Sequence, residues 1–67
     1  MKIQIHTEYI KLEALLKYAG LVETGGQAKQ AILAGQASVN GQTETARGKK
    51  IRSGDTVSFQ GTELEIV

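Results

Sequence analysis

The sequence contains no cysteine and only one histidine, and these two scarcities exclude several kinds of chemistry. Without cysteine the chain has no disulfide, no thiolate nucleophile and no cysteine-ligated zinc, and one histidine cannot build a histidine-rich metal site. Aromatic residues make up only 4% of the chain, which disfavours a protein that binds single-stranded nucleic acid by stacking successive bases. We therefore expect no redox chemistry, no metal and no cofactor.

Long hydrophobic runs are also missing. No run approaches the roughly 18 residues of a membrane span, and residues 1–10 alternate in polarity instead of forming a signal-peptide apolar stretch. We expect a cytoplasmic protein with no membrane partner. The length of 67 residues fits one small domain over residues 1–67. Surface scaling predicts a folded surface of about 4,100 Å², with about 60% of the unfolded chain's surface buried, and we expect a monomer.

The net charge of +1 indicates no particular partner, but the charges are unevenly distributed. Residues 1–26 are neutral overall, residues 27–52 carry +4 and residues 53–67 carry −3. Four of the eight cations fall within six residues, namely Arg47, Lys49, Lys50 and Arg52. Such a short basic cluster can neutralise phosphates, although a solvated loop has the same composition. Charge alone leaves both interpretations open.

Apolar spacing predicts a first helix from about Glu8 to Ala19, with Thr7 as its N-cap and Gly20 at its C-terminus. Its core-facing stripe recurs at steps of three and four residues: Leu12, Leu15, Leu16 and Ala19.

A second helix is predicted to begin at Thr24, because Thr24 and Gln27 match the capping box, in which both side chains bind free backbone amides. Gly35 ends this helix after barely three turns. Its apolar face consists of Ala28, Ala31 and Ile32.

The remaining elements are predicted strands and turns. Ile3 and Ile5 alternate with polar residues and indicate a short N-terminal strand. The pairs Asn40-Gly41 and Gln60-Gly61 predict hairpins, the second with a buried face formed by Val57, Phe59, Leu64 and Ile66. Residues 42–52 form an exposed arm, anchored near Ile51. The predicted fold class is therefore α+β: a short N-terminal strand, two packed helices and a small antiparallel sheet from about Ala37 onward.

Several pieces of sequence occur in a recognisable order and spacing. They are Leu12-Glu-Ala-Leu-Leu, Thr24-Gly-Gly-Gln-Ala-Lys29, Ile32 with Gly35, Ser38-Val-Asn-Gly41 and Arg52-Ser-Gly-Asp-Thr-Val57. Together they resemble the S-four RNA-binding domain, named for small-subunit ribosomal protein four. With almost no additional sequence, the chain is similar to the stand-alone bacterial members of the YaaA/YbcJ type.

The resemblance implies a non-catalytic protein that binds structured RNA, either ribosomal or transfer RNA, with the ribosome as a further partner. Catalytic members of the family carry their chemistry in other domains, and this chain shows no nucleophile–base pair, metal cluster or phosphate loop. One departure concerns the start of helix two, where the family often has an Arg next to a Ser. This chain has Thr24, Gly25 and Gly26 there, which removes a cation but offers backbone amides that suit a phosphate oxygen.

We expect the RNA-binding residues to form one basic face beside the start of helix two. Ten residues are predicted to contribute: Lys11, Thr24, Gly26, Gln27, Lys29, Asn40, Arg47, Lys49, Lys50 and Arg52. Tyr18 is the stacking candidate and shares a helix flank with Lys11, whereas Tyr9 is assigned to the vicinity of the core stripe. Glu63 and Glu65 would repel nucleic acid and are expected to face away from it.

Two alternatives come from different functional classes. Two short helices with a glycine-containing turn also fit a helix-turn-helix DNA-binding protein. Helix two argues against this class, because its exposed long side chains are few and the cations lie in a later loop. The other alternative is a protein-interaction module whose basic arm meets an acidic partner.

Overall fold

Two helices and seven short strands follow one another in the computed structural model, which describes residues 1–67. In chain order they are β1 (Lys2–Ile3), β2 (Ile10–Lys11), α1 (Leu12–Tyr18), α2 (Gly25–Leu33), β3 (Ala37–Val39), β4 (Gln42–Thr43), β5 (Lys50–Ile51), β6 (Thr56–Phe59) and β7 (Thr62–Ile66). The strands form a five-stranded sheet of order β1-β7-β6-β3-β4 and a separate two-stranded ribbon of β2 and β5. This is the predicted α+β class. Neither helix is long and apolar enough to cross a membrane.

Helix α1 begins later than the sequence predicted. The prediction placed its start at Glu8 with Thr7 as N-cap, and this was wrong, because Thr7 Oγ1 instead donates to the Tyr9 carbonyl at 2.8 Å. The position before the first helical residue is Lys11, whose side chain makes no capping bond. Residues 10 and 11 pair with β5 and are therefore extended, which delays the helix to Leu12.

Helix α2 begins where its capping residues predicted. The Gln27 amide donates to Thr24 Oγ1 at 3.1 Å, and Gln27 Oε1 accepts from the Glu23 amide at 2.7 Å. Thr24 thereby satisfies one of the free amides of the helix, whereas the Gln27 side chain binds the amide of Glu23, one residue before the N-cap, instead of the Thr24 amide of a capping box. Gly35 adopts a φ of 77°, a left-handed conformation that ends a helix at little cost for glycine.

The antiparallel part of the main sheet confirms both predicted hairpins. At the first turn Asn40 and Gly41 have φ angles of 51° and 85°, and at the second Gln60 and Gly61 have 49° and 82°. Positive φ at both central residues matches the strand twist, which is why such turns favour Asn and Gly. The second hairpin, β6 with β7, buries the alternating residues that the sequence assigned to the core: Val57, Phe59, Leu64 and Ile66.

The N-terminal strand makes the sheet mixed instead of purely antiparallel. Strand β1 pairs in parallel with β7, with Lys2 opposite Glu65 and Ile3 opposite Ile66. The interaction continues past the strand, where the Ile5 amide donates to the Val67 carbonyl at 3.1 Å. The predicted strand is therefore present, and it completes the edge of the sheet beside β7.

One core lies between the helices and the sheet. Twelve hydrophobic residues are buried in it, and the total accessible surface is 4145 Å², in agreement with the value expected from chain length. Ile51 is fully buried, so the arm is anchored at the residue that the sequence indicated. Ala28 of α2 and Ala37 of β3 are also fully buried in this core.

Candidate nucleic-acid interface

The β2–β5 ribbon presents a basic outer face. Ile10 lies opposite Ile51, and Lys11 lies opposite Lys50. Successive side chains of a strand point to opposite sides, so the isoleucine pair faces the core and the lysine pair faces away from it. The burial agrees: Ile51 is fully buried and Ile10 packs against the core, whereas both lysines are exposed.

Tyr9 and Arg52 continue this outer face by one residue. Extending the register places them opposite each other, on the same side as the two lysines. Two cations lie over the Tyr9 ring: Lys50 Nζ is 4.9 Å from the ring centroid, and Arg52 Cζ is 5.8 Å from it. Both distances are within the range at which the negative face of an aromatic ring attracts a cation. We call this surface, formed by Tyr9, Lys11, Lys50 and Arg52, the ribbon face.

The backbone of the arm covers the first turn of helix α1. The Leu12 amide donates to the Lys49 carbonyl at 2.9 Å, and the Glu13 amide donates to the Arg47 carbonyl at 3.1 Å. Helices leave their first amides without an intrahelical partner, so these two bonds satisfy part of that deficit and explain why α1 needs no side-chain cap. They also fix the backbone from which the exposed side chains of Arg47 and Lys49 extend.

A polar groove of about 440 Å³ separates residues 49–52 of the arm from the β3–β4 hairpin, to which the first two residues of the arm belong. Three cations line it, Lys49, Lys50 and Arg52. Asn40 and Thr43 line it from the hairpin. The ribbon face and the groove therefore share two cations, Lys50 and Arg52, and form one continuous basic surface.

Two carboxylates also line the groove, those of Glu44 and Asp55. Both accept hydrogen bonds from neighbouring groups of the protein. Glu44 Oε2 accepts from the Ala46 amide at 3.1 Å. Asp55 Oδ2 accepts from the Arg52 amide at 2.9 Å, and its Oδ1 accepts from Asn40 Nδ2 at 3.1 Å. The Arg52 amide, followed by the Asn40 amide and the charges of Lys49 and Arg52, holds the pKa of Asp55 below its usual value of 3.8. Asp55 thus binds its own turn through the Arg52 amide and the β3–β4 turn through the Asn40 side chain.

Asn40 is occupied within the hairpin. Its Oδ1 accepts from the Thr56 amide at 2.9 Å, while its Nδ2 donates to Asp55. Its backbone amide also donates to the Thr56 carbonyl at 2.7 Å. Asn40 therefore shapes the wall of the groove, and its predicted contact with RNA stays a prediction.

Four predicted residues belong to the start of helix α2, and none of them lines the groove: Thr24, Gly26, Gln27 and Lys29. Thr24 and Gln27 are bound in the capping arrangement, and a Cβ added to Gly26 would meet only Thr24 Oγ1, at 3.8 Å. The Lys29 side chain is exposed. The predicted convergence of Lys29 with the arm stays a prediction.

The structure corrects the predicted position of Lys11 and gives Tyr9 a role. Lys11 is not on a helix flank beside Tyr18, because it belongs to β2 and faces Lys50. Tyr9, assigned from sequence to the neighbourhood of the core, contacts the two cations instead. The signal that could have found it is the matching alternation of Tyr9-Ile10-Lys11 and Lys50-Ile51-Arg52, each with one isoleucine between two outward-facing residues.

Tyr18 lies at a different place, beside an apolar cleft of about 220 Å³ that also involves Ile5 and Ile10. The residue is 62% exposed, and its hydroxyl lies 3.4 Å from the Gln4 carbonyl. On β7 the acidic residues Glu63 and Glu65 are exposed while their neighbours are buried, so they face outward as expected.

Comparison with known families identifies the fold. The S4 domain model matches residues 3–67, nearly the whole chain. The chain belongs to the S4 domain family. This confirms the resemblance that the order of its sequence pieces indicated.

Two curated relatives are similar over most of their length. The protein is 46% identical over 59 residues to YbcJ of Escherichia coli strain K12, a protein named for RNA binding. The aligned region covers 88% of this chain and 84% of YbcJ. It is 37% identical over 59 residues to RlbA of Bacillus subtilis strain 168, a protein named for ribosome maturation. That aligned region covers 88% of this chain and 83% of RlbA.

Two solved structures share the S4 domain architecture. The solution structure of YbcJ from E. coli, described as revealing an ALFAL motif involved in RNA-binding, matches with a TM-score of 0.76 and 40% identity. The match covers 98% of this chain and 85% of YbcJ. A crystal structure of pseudouridylate synthase matches with a TM-score of 0.75 and 21% identity, over 84% of this chain and 24% of that one. At that identity the second match shows the fold alone.

Proposed function

We propose that this S4 domain protein binds structured RNA by its phosphate backbone, through the ribbon face and the adjoining arm. The observation that carries the proposal is the register of the ribbon. It brings Lys11, which precedes helix α1, opposite Lys50 from the arm, with Arg52 and the arm residue Lys49 beside them. Cations from two separated segments are thereby joined on one surface.

The placement of these cations has an energetic cost that an anionic ligand would offset. Like charges directly opposite each other on paired strands destabilise the pairing. Lys11 and Lys50 occupy such positions, and the arm adds Arg47 and Lys49 close by. Phosphate groups of an RNA would reduce this repulsion, and the lysines and arginines would displace the counterions that the RNA phosphates hold.

The two carboxylates of the groove keep their negative charge, and the three cations that line the groove outnumber them. Asp55 and Glu44 are each committed to backbone amides of the arm, so they stabilise the loop that carries the cations. The hydrogen bonds of the two carboxylates fix the backbone of the arm, and the cations of the groove extend from that fixed backbone. This arrangement favours recognition of phosphates and of RNA shape over recognition of base edges.

The relatives support the same class of ligand. One is named for RNA binding and another for ribosome maturation, and both match over most of their length. We infer that the RNA is structured ribosomal or transfer RNA and that the protein acts without catalysis, on a large particle where further contacts add affinity. The basic surface alone gives a modest interaction, because a single small module offers roughly 600 to 1,000 Å² of interface.

The test is the salt dependence of binding to an RNA hairpin, measured by fluorescence anisotropy. Five cations contribute in this proposal: Lys11, Arg47, Lys49, Lys50 and Arg52. At about 0.9 per phosphate contact on a base-paired stem, they predict a slope of about −4.5 in a plot of log affinity against log salt. Replacing the four arm cations by alanine is expected to reduce the slope to about −0.9.

The matched control replaces two cations outside the proposed surface, Lys2→Ala with Lys17→Ala, and is expected to leave the slope within about one contact of the original. Duplex DNA of equal length, at matched salt, serves as competitor and is expected to compete weakly. Equal binding of DNA would favour the helix-turn-helix alternative. Unchanged RNA affinity in a folded variant without the four arm cations would contradict the proposal.

A further inference from the structure

The Tyr9 ring has a position that the core does not explain. Tyr9 belongs neither to the twelve buried core residues nor to the hydrophobic residues packed against them. It lies half-buried on the ribbon face, with Lys50 Nζ 4.9 Å and Arg52 Cζ 5.8 Å from its ring centroid. Both of these cations also line the groove, so the ring lies beside the side chains that the proposed function assigns to RNA binding.

These two cations would otherwise be poorly ordered. Lys50 and Arg52 are exposed, carry like charge and have long side chains with many rotamers. Their mutual repulsion favours separation, and binding a ligand with such side chains normally costs the entropy of immobilising them. An aromatic ring attracts both through its quadrupole and reduces the number of conformations that each explores.

We propose that Tyr9 is a positioning residue for RNA binding: its ring holds Lys50 and Arg52 over the ribbon face before the RNA arrives. The inference rests on the proposed function and adds to it a residue that carries no charge and makes no phosphate contact of its own. The ring lowers the ordering cost of binding, so its removal weakens affinity although every cation remains.

The experiment compares Tyr9→Leu with Tyr9→Phe, using the RNA hairpin and anisotropy. Leucine keeps a hydrophobic side chain but removes the ring, and we expect a loss of affinity of about 3- to 10-fold, the scale of one or two cation–π contacts at an exposed site. Phenylalanine keeps the ring face, and we expect affinity within about twofold of the original. Leu33→Ala is the control, because it removes an exposed apolar side chain that belongs neither to the ribbon face nor to the groove, and it is expected to leave affinity unchanged.

A thermodynamic cycle separates positioning from a general structural effect. In a Lys50→Ala, Arg52→Ala background, Tyr9→Leu is expected to have no further effect on affinity, because the side chains that the ring holds are gone. Thermal unfolding shows whether Tyr9→Leu remains folded at the assay temperature. Independently of any variant, ring-current shifts of the Lys50 side-chain protons in the unmodified protein report whether the stacked arrangement exists in solution.

Three results would overturn the inference while leaving the proposed function intact. The first is a folded Tyr9→Leu variant that binds RNA as tightly as the original protein, or more tightly. The second is an equal loss from Tyr9→Leu with and without the two cations, and the third is an absence of ring-current shifts at Lys50. If the original protein shows no salt-dependent RNA binding at all, the proposed function fails and the inference fails with it. Salt-dependent binding without an effect of Tyr9 overturns only the inference.

Discussion

Asn40 is expected to stabilise the folded protein in two ways, through its side-chain hydrogen bonds and through its tolerance of a positive φ. Two substitutions at this residue separate the two contributions. Asn40 has a φ of 51°, and its side chain joins the Thr56 amide at 2.9 Å and the Asp55 carboxylate at 3.1 Å. Asn40→Gly removes both side-chain bonds but tolerates the positive φ. Asn40→Ala removes the same bonds and also introduces a residue that is strained at that φ.

The magnitude follows from these two terms. A neutral hydrogen bond contributes about 1 kcal/mol and a bond to a charged group about 1.5 to 3 kcal/mol, with the lower values appropriate at an exposed site. We therefore expect Asn40→Gly to lower the free energy of unfolding by about 2 kcal/mol. Asn40→Ala is expected to lose about 1 to 2 kcal/mol more, because of the left-handed backbone conformation.

The assay is thermal unfolding followed by circular dichroism, with urea unfolding for the free energies. For a domain of this size 1 kcal/mol corresponds to a shift in Tm of about 4 to 8 °C, so the two variants should be clearly separated. Asn40→Ala equal in stability to Asn40→Gly would refute the role of backbone conformation. If both variants have a free energy of unfolding within about 0.5 kcal/mol of the original protein, the hydrogen bonds do not have the proposed role.

Two further predictions concern other hydrogen bonds of the structure. Because the folded pKa of Asp55 lies below its ordinary value of 3.8, its stabilisation is complete above that value and is lost as the pH falls through the folded pKa. The difference in unfolding free energy between the original protein and Asp55→Asn should therefore shrink between about pH 5 and pH 2, and a constant difference would contradict this. Thr24→Ala removes the capping acceptor of the Gln27 amide and should cost about 1 kcal/mol in urea unfolding, whereas Thr24→Ser, which keeps the hydroxyl, should cost much less.

Local chemistry was sufficient to predict the turns and the second helix. Asn40-Gly41 requires positive φ at adjacent residues, and Thr24 with Gln27 supplies acceptors for the amides at a helix start. These signals depend only on residues within four positions of each other, so a single sequence contains all the information that the prediction needs.

The ribbon could not be predicted in the same way, because the paired residues Ile10 and Ile51 lie 41 positions apart and each strand has only two residues. A helix that started at Glu8 was a reasonable interpretation of the local pattern, since the alternation around Ile10 indicates pairing only when it is compared with the matching alternation around Ile51. Tertiary pairing overrode the local preference, and with it the positions of Tyr9 and Lys11 changed. The basic cluster itself was visible in the sequence, but its partners across the ribbon were not.

The central claim, that RNA binds the ribbon face and the arm, is tested most directly by backbone amide chemical shifts in an NMR titration with an RNA hairpin. The account predicts that the largest shifts occur at residues 9–11 and 47–52, with small shifts along the acidic strand β7. Largest shifts along β7, with residues 47–52 unchanged at saturating RNA, would contradict it.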